Sequence, residues 1–244
     1  LHCMGTGRPP ARQEDRTDYG PQQLEQIRRL LEQGGDGRLH IILPDLAMEG
    51  VLTKPGDLSL LIFPKGTTLL LDTGYKDNWP RVRDFLRGAG LRRIDLLAFT
   101  HSDNDHVSNA RAIADLILQE QGGSIGRFWW TGQQYGSVVS EFAAYLKKRN
   151  IPMDLHVRDG YKEEIDGVDV EVLGPTEEDM LRDSSDGEIR NAQSMMLKLT
   201  YGAATYLTCG DLYADQEQRV IRRLGGRLRA DVSKTNHHGA YTSN

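Results

Sequence analysis

A segment of seven residues combines two histidines and two aspartates in the order Thr100-His101-Ser102-Asp103-Asn104-Asp105-His106. It directly follows an apolar run at residues 94–99 that is typical of a buried strand, and the pattern after it indicates a helix. Imidazole suits zinc and similar ions, whereas added carboxylates favour harder ions such as manganese. Helix capping would explain Asp105 alone, but not a histidine at both ends of the loop. The spacing therefore predicts a metal site.

Three further segments carry polar residues at the end of an apolar run. An Asp-Thr-Gly sequence begins at Asp72, Gly210-Asp211 follows residues 206–209, and His237-His238-Gly239 follows residues 230–235. Each alone is explained as a turn, because Asp and Gly are common turn residues. Their shared position at strand ends favours one site built from several loops.

The elements that must position these loops alternate along the chain. The apolar patterns predict helices at residues 21–33, 79–88, 107–120, 135–149 and 215–224. They predict strands at residues 39–43, 58–63, 68–71, 94–100, 127–131, 153–157, 168–173, 195–201, 204–209 and 230–235. Because the two kinds of element interleave, we expect one layered α/β domain at residues 21–244, after a disordered tail at residues 1–20.

Composition excludes several classes of protein. The 244 residues carry 30 Lys and Arg against 35 Asp and Glu, and a net charge of −5 argues against bulk electrostatic binding of nucleic acid. Two cysteines cannot form a disulfide framework or a cysteine-rich zinc site. No apolar run approaches the length of a transmembrane helix and no signal peptide is recognisable, so a soluble, cytoplasmic protein is predicted. Phe128-Trp129-Trp130 could stack a base or a sugar, although core packing is favoured in an apolar strand.

In their order, the four motifs resemble those of the metallo-β-lactamase superfamily. Its usual loop is His-x-His-x-Asp-His, and Asp103 stands here in place of the second histidine. That variant, with Asn191-x-x-Ser194 and a closing Lys-x-x-His-His-Gly, resembles the hydrolase domain of ComEC-type competence proteins and their free-standing relatives. The resemblance runs from about residue 39 to the end. It implies a four-layer αββα sandwich, truncated at the C-terminus because the family normally adds a further strand and helix.

The resemblance also implies a ligand set for two divalent ions, zinc or manganese. The first ion would be held by His101 and Asp103, the second by Asp105 and His106, with Asp211 as a bridge and one of His237 and His238, preferably His238, completing the second site.

Three further residues would support these ligands. Asp72 would orient a ligand imidazole through a hydrogen bond, and Asn191 and Ser194 would line the cleft or hold its loops. The implied catalytic residues are Asp105 and Asp211, of which Asp105 would also help orient the metal-activated water.

The implied reaction is hydrolysis of a phosphodiester, in nucleic acid or in a small molecule. Hydrolysis of an ester, lactone or amide is the enzymatic alternative, since the superfamily serves many leaving groups. A non-catalytic metal-binding or interaction domain is the alternative of another class. It is motivated by Val107-Ser108-Asn109, which departs from the family pattern, and by the lack of a third histidine for the first ion; the context of His156 favours a structural role.

Overall fold

Two β-sheets form the centre of the molecule in the computed structural model, which describes residues 20–48 and 56–243. The first sheet has six strands in the order β1 (His40–Ile42), β2 (Ser59–Ile62), β3 (Thr68–Leu71), β4 (Arg93–Ala98), β5 (Ser124–Trp129) and β6 (Met153–Asp154). The second has five in the order β11 (Val232–Ser233), β10 (Ala204–Thr208), β9 (Met196–Tyr201), β8 (Val168–Gly174) and β7 (Lys162–Ile165).

The first described α-helix precedes β1, and the others lie between strands along the chain. They are α1 (Pro21–Gln33), α2 (Trp79–Gly88), α3 (Asn104–Val107), α4 (Ala110–Asp115), α5 (Val138–Lys147), α6 (Glu177–Met180), α7 (Gly187–Ala192) and α8 (Ala214–Leu224). A wider π-type turn, Leu116–Glu120, extends α4. The first helix shows the expected punctuation, because Pro21 opens it and Gly34 ends it in the left-handed conformation, with φ 75°.

Alternating side chains divide the core into layers. In the first sheet, Leu60 and Ile62 pack against apolar residues of α1, α2, α4 and α5. Their neighbours Leu61 and Phe63 point the other way and pack against apolar residues of the second sheet. A third cluster, which includes Leu224, packs α8 on the outer face of the second sheet. The layers are therefore helix, sheet, sheet and helix, which confirms the predicted αββα sandwich.

Strand direction brings the polar loops to one edge. Strands β3, β4, β5 and β6 run parallel to one another, so the loops that follow them leave from the same edge of the first sheet. In the second sheet, β10 and β11 are also parallel. The carboxyl ends of β3, β4, β10 and β11 carry the four motifs from which the sequence predicts a metal site.

Several element boundaries differ from the prediction. The helix predicted at residues 107–120 begins at Asn104 and is interrupted before Ala110, so His106 lies inside a short helix rather than before one. The strands predicted at residues 153–157 and 230–235 shrink to two residues each, Met153–Asp154 and Val232–Ser233. The β7 strand was missed because its Lys-Glu-Glu-Ile sequence is mostly charged, as an edge strand permits.

The ends of the prediction fall partly outside the description. Of the tail predicted at residues 1–20, only residue 20 lies in the described part. Among residues 20–48 and 56–243, no helix combines the length and the apolar composition that crossing a bilayer requires.

Candidate metal centre

Backbone hydrogen bonds hold the loops of both sheets together. The Met195 amide, just before β9, donates to the Thr100 carbonyl over 2.8 Å, and the His237 amide donates to the Gly210 carbonyl over 3.2 Å. The Asp57 amide donates to the Asp105 carbonyl over 3.0 Å. The loops that follow β4, β10 and β11 and the segment that precedes β2 thus meet at one place.

Two histidines of this place are each anchored by a carboxylate at Nδ1. His106 Nδ1 lies 2.9 Å from Asp72 Oδ2, and His238 Nδ1 lies 3.1 Å from Asp57 Oδ1. A carboxylate on the far nitrogen fixes the orientation of the ring and leaves Nε2 as the atom available for a ligand. Asp72 thus contacts the Nδ1 side of His106, and Asp57 contacts the Nδ1 side of His238 in the same way.

The two Nε2 atoms converge on the same carboxylates. Asp211 Oδ2 lies 3.2 Å from His106 Nε2 and 3.1 Å from His238 Nε2. Asp105 Oδ2 lies 3.3 Å from His238 Nε2, and Asp105 Oδ1 lies 4.0 Å from His106 Nε2. Four side chains thus present nitrogen and oxygen atoms to a common point.

These buried atoms make no well-directed hydrogen bonds. Within the described residues, the Nε2 atoms of His101, His106 and His238 and the Oδ1 atom of Asp211 lack a hydrogen-bond partner of good geometry, although two of the Nε2 atoms lie at ion-pair distance from Asp211 Oδ2. A buried polar atom without a partner is costly, and four at one point require an explanation. Imidazole nitrogens and carboxylate oxygens in this arrangement are the donor set of a divalent cation, so the residues fit a metal ion.

Asp57 is close to the cluster but lies behind it. One ligand atom from each of Asp57, His106, Asp211 and His238 lies within 4.8 Å of the others. Asp57, however, contacts the Nδ1 side of His238, and its second oxygen lies 2.5 Å from Lys234 Nζ. Since both of its oxygens are engaged, Asp57 is placed to orient His238 rather than to take a metal.

His101 and Asp103 lie on the other side of His106. The His101 and His106 rings are 4.1 Å apart, and Thr100 Oγ1 lies 3.0 Å from His101 Nδ1. His101 Nε2 is 3.8 Å from Asp103 Oδ2, while Asp103 Oδ1 accepts a hydrogen bond of 2.5 Å from Arg190 Nε. Asp103 precedes α3 but makes no side-chain cap, so capping does not explain this residue.

The closing histidine pair is divided between two roles. The His237 ring stacks on Tyr213 at a centroid distance of 4.7 Å, and its Nδ1 contacts Thr242 Oγ1. His238 is the member that joins the cluster. Both residues have positive φ, 44° and 56°, as does Asp72, at 62°. Residues held in this conformation at one site are a mark of a functional constraint.

Asn191 and Ser194 lie beneath the Asp211 loop. Both are buried, and the Ser194 amide donates to the Asn191 carbonyl over 3.1 Å. Ser194 Oγ accepts from the Asp211 amide over 3.4 Å. These two residues thus lie against the loop that carries Asp211.

The three histidines differ in the direction in which their pKa values are shifted. Burial opposes charge on His106 and His238, but Asp211 and its neighbouring carboxylates outweigh it, raising the pKa of His238 to about 11 and that of His106 well above its usual value. Burial and the adjacent His106 lower the pKa of His101. At neutral pH the metal-free cluster therefore holds two imidazolium ions and one neutral imidazole.

The pKa values of the carboxylates Asp105 and Asp211 shift in the opposite direction, downwards. Burial acts to raise their pKa values, but His106 and His238 lower the pKa of Asp105 to about 2 and that of Asp211 further below its usual range. Both groups are anionic at any pH near neutrality, which is the state that a cation requires of its ligands.

Sequence reasoning missed Asp57 and Arg190, and it named Lys234 only as part of the closing motif, without a role. Asp57 precedes a strand, whereas the recognised motifs follow strands. One signal was present: Gly56 has φ +75°, and a Cβ there would lie 2.0 Å from the Asp105 carbonyl oxygen. Only glycine permits that approach, so Gly56-Asp57 is a position where the backbone meets the metal loop.

Comparison with known proteins defines the class. The model of the metallo-beta-lactamase superfamily matches residues 56–243. The chain belongs to that superfamily, as its motifs predicted, and its αββα fold agrees with that assignment.

Two curated relatives are competence proteins. The chain is 29% identical over 183 residues to competence protein ComA of Neisseria gonorrhoeae. This alignment covers 75% of this chain and 21% of the relative. It is 24% identical over 156 residues to ComE operon protein 3 of Bacillus subtilis, covering 64% of this chain and 18% of the relative. The chain thus spans about a fifth of the length of these relatives.

A solved structure shares the fold. The metallo-beta-lactamase fold protein YhfI from Bacillus subtilis superposes with a TM-score of 0.50 at 11% identity, over 84% of this chain and 77% of that one.

Proposed function

We propose that this chain is a phosphodiesterase that uses two divalent metal ions. The observation that carries the proposal is the group of buried atoms without hydrogen-bond partners, three imidazole Nε2 atoms and Asp211 Oδ1, at the meeting point of both sheets. The position of this group at the carboxyl ends of the strands is where α/β folds bind their substrates.

The ligands divide between two ions. Asp105, His106 and His238 would hold one ion, and His101 and Asp103 the other, with Asp211 shared between them. Bound divalent ions lower the pKa of water and polarise a phosphoryl group. Arg190 already binds one oxygen of Asp103, so we expect the ion at His101 to be the more weakly held.

The surrounding residues fix the ligands and their charge. Asp72 and Asp57 would hold the Nδ1 protons of His106 and His238, so that Nε2 of each ring is the atom that binds a metal ion. Lys234 holds Asp57 in turn. Asp105 stays anionic because its pKa is about 2, and its oxygens face the cluster, where they can orient the attacking water.

Local charge favours an anionic substrate only when metal is bound. Five carboxylates, those of Asp57, Asp72, Asp103, Asp105 and Asp211, are opposed by two permanent side-chain cations, Arg190 and Lys234. In the metal-free state, the two imidazolium ions bring the net charge of the site to one negative, which repels a phosphodiester. Two divalent ions that displace the two imidazolium protons would make it one positive, which attracts one.

Metal reconstitution with a panel of substrates tests the proposal. Zinc- or manganese-loaded protein should hydrolyse bis(p-nitrophenyl) phosphate faster than p-nitrophenyl acetate, a lactone or an amide, and manganese should support at least the rate of zinc because Asp103 replaces an imidazole. Preference for the acetate, lactone or amide would replace the phosphodiesterase with another hydrolase. Binding of metal without hydrolysis would indicate a non-catalytic domain.

A variant pair ties the activity to the site. Asp105→Asn should lower hydrolysis by at least about a hundredfold and release metal, because it removes an anionic ligand. Asp215→Asn, at an exposed position on α8 whose partner is Arg219, is the control and should keep full activity. Equal activity in both variants would contradict the role of Asp105.

A further inference from the structure

A second cavity opens beside the metal centre. Its volume is about 700 Å³, and it lies between the loop that follows β5, the start of α5 and the segment after β6. Residues lining it include Trp130, Gln133, Tyr135, Ser140 and His156. This volume falls in the range of small-molecule sites.

The cavity is joined to the metal loop by two side chains. Gln133 Oε1 accepts a hydrogen bond of 2.7 Å from the Ser102 amide, next to His101. The Arg190 guanidinium lies 3.8 Å from the centre of the Tyr135 ring and donates to Asp103. Gln133 and Arg190 thus connect the wall of the cavity with the loop that carries His101 and Asp103.

The lining suits a planar, uncharged, partly polar group. Tyr135 is 43% exposed although one face of its ring is covered by Arg190, which leaves an aromatic surface at the cavity. Gln134, Ser140 and His156 add hydrogen-bonding groups, and none of the described residues that line the cavity is acidic. Aromatic rings backed by arginine are the surfaces on which nucleobases stack in single-strand binding sites.

We propose that this cavity binds the nucleobase of the nucleotide adjoining the scissile phosphodiester, an inference that rests on the proposed phosphodiesterase activity. The substrate is then a nucleotide or an unpaired nucleic-acid strand, because a base within a duplex has both faces covered by its neighbours. Tyr135 supplies the stacking surface, and Arg190 links that surface to the phosphodiester end of the site through Asp103.

Calorimetry on the zinc-loaded protein tests this inference without hydrolysis. Adenosine 5′-monophosphate should bind about tenfold more tightly than ribose 5-phosphate, the gain expected of one stacked base. Tyr135→Ala should reduce this preference to less than about twofold, whereas Tyr135→Phe and the exposed neighbour variant Val138→Ala should retain it. Equal affinity of the wild type for both ligands, or a preference that survives in Tyr135→Ala, would overturn the inference.

A second variant pair leaves the contact between Tyr135 and Arg190 intact. Ser140→Leu fills the cavity from an exposed position on α5 and should lower the affinity for adenosine 5′-monophosphate but not for ribose 5-phosphate. Ala144→Leu, an exposed site one turn further along α5, should change neither affinity. Unchanged binding in Ser140→Leu would also contradict the cavity as the base site.

The outcomes separate the two proposals. Hydrolysis of bis(p-nitrophenyl) phosphate by a wild type that shows no preference for the nucleotide would leave the phosphodiesterase standing and remove the base site. A nucleotide preference in a metal-loaded protein that hydrolyses no phosphodiester would remove the phosphodiesterase and leave the base site standing. Equal binding of glucose 6-phosphate and adenosine 5′-monophosphate would assign the cavity to a sugar and overturn the inference.

Discussion

The three histidines of the cluster differ in protonation state, although each presents the same ring nitrogen, Nε2, to the cluster. His106 and His238 lie against carboxylates that keep them protonated at neutral pH, whereas buried His101 is neutral. A metal ion binds only the neutral imidazole, so two of the three must lose a proton when the site fills.

Zinc binding at pH 7 should therefore release about two protons, from His106 and His238. Because the metal-free pKa values of these histidines lie above neutrality, apparent affinity should rise with pH between about pH 6 and 8, by a factor of about a hundred per unit. Calorimetry in buffers of different ionisation enthalpy measures the proton count. Release of no protons, with affinity independent of pH, would contradict the assigned charge states.

Asp57→Asn should weaken zinc binding by about 10- to 100-fold, because loss of the carboxylate at Nδ1 reduces the basicity and fixation of His238. Asp36→Asn is the matched control, since Asp36 contacts His40 at 2.8 Å in an Asp–His pair outside the cluster. Equal zinc affinity of the two variants in a competition titration would show that Asp57 has no orienting role.

At the scale of elements, the site depends on how closely the loops approach one another. Gly210, between β10 and Asp211, has φ +60°, and a Cβ there would lie 2.7 Å from both Ser194 Cβ and Oγ and 3.2 Å from Thr100 Cβ. This glycine lets the loops after β4 and β10 and the start of β9 share the same space.

Gly210→Ala should separate these loops. We expect it to cost about 2 kcal/mol more unfolding free energy than Gly202→Ala, from overpacking, and to weaken zinc binding by at least tenfold. Gly202, in the turn between β9 and β10, has nearly the same φ, +59°, but nothing within 4 Å of an added Cβ, so it isolates the contact from the backbone strain. Denaturant titration of the metal-free proteins gives the difference. A similar loss for both alanines would rule out close loop packing as the cause.

The loops proposed to carry metal ligands could be singled out from the sequence because each motif is local. The histidines and aspartates from His101 to His106 lie within six consecutive positions, and Asp211 and His238 each follow an apolar run. Asp57 could not be predicted in this way, because its partner His238 is 181 residues away and no local pattern links them. Arg190 was missed for the same reason, since its contact with Asp103 spans 87 residues.

The strands show the same difference between features set by local sequence and features set by tertiary contacts. Strands β9 and β10 were predicted because both are apolar and the turn between them contains Gly202; the structure pairs them as an antiparallel hairpin. The β7 strand and the short β6 and β11 strands are defined by a hydrogen-bonded neighbour rather than by their own composition. Pairing of that kind is a property of the tertiary fold.

At the scale of the whole molecule, the metal centre joins the two sheets. Asp72, His101 and His106 come from loops of the first sheet, and Asp211 and His238 from loops of the second. A bound ion therefore links both halves of the sandwich and should stabilise the folded state against the unfolded chain.

Chelation should lower the thermal midpoint of the zinc-loaded protein by about 10 °C. An ion at about a thousand times its dissociation constant contributes about 4 kcal/mol, and a domain of this size shifts by about 2–4 °C per kcal/mol. Differential scanning calorimetry with and without EDTA measures the shift, and Asp105→Asn should show a smaller one. An unchanged midpoint in the wild type would indicate that no ion joins the sheets.

Anomalous diffraction from zinc-loaded and manganese-loaded crystals would locate the bound ions directly. We expect an anomalous peak about 2.0–2.2 Å from both His106 Nε2 and His238 Nε2, in contact with Asp211, and a second peak, of lower occupancy at limiting metal, beside His101 and Asp103. Crystals that contain metal but show no peak at His106, His238 and Asp211 would contradict the assignment of this cluster as a metal centre.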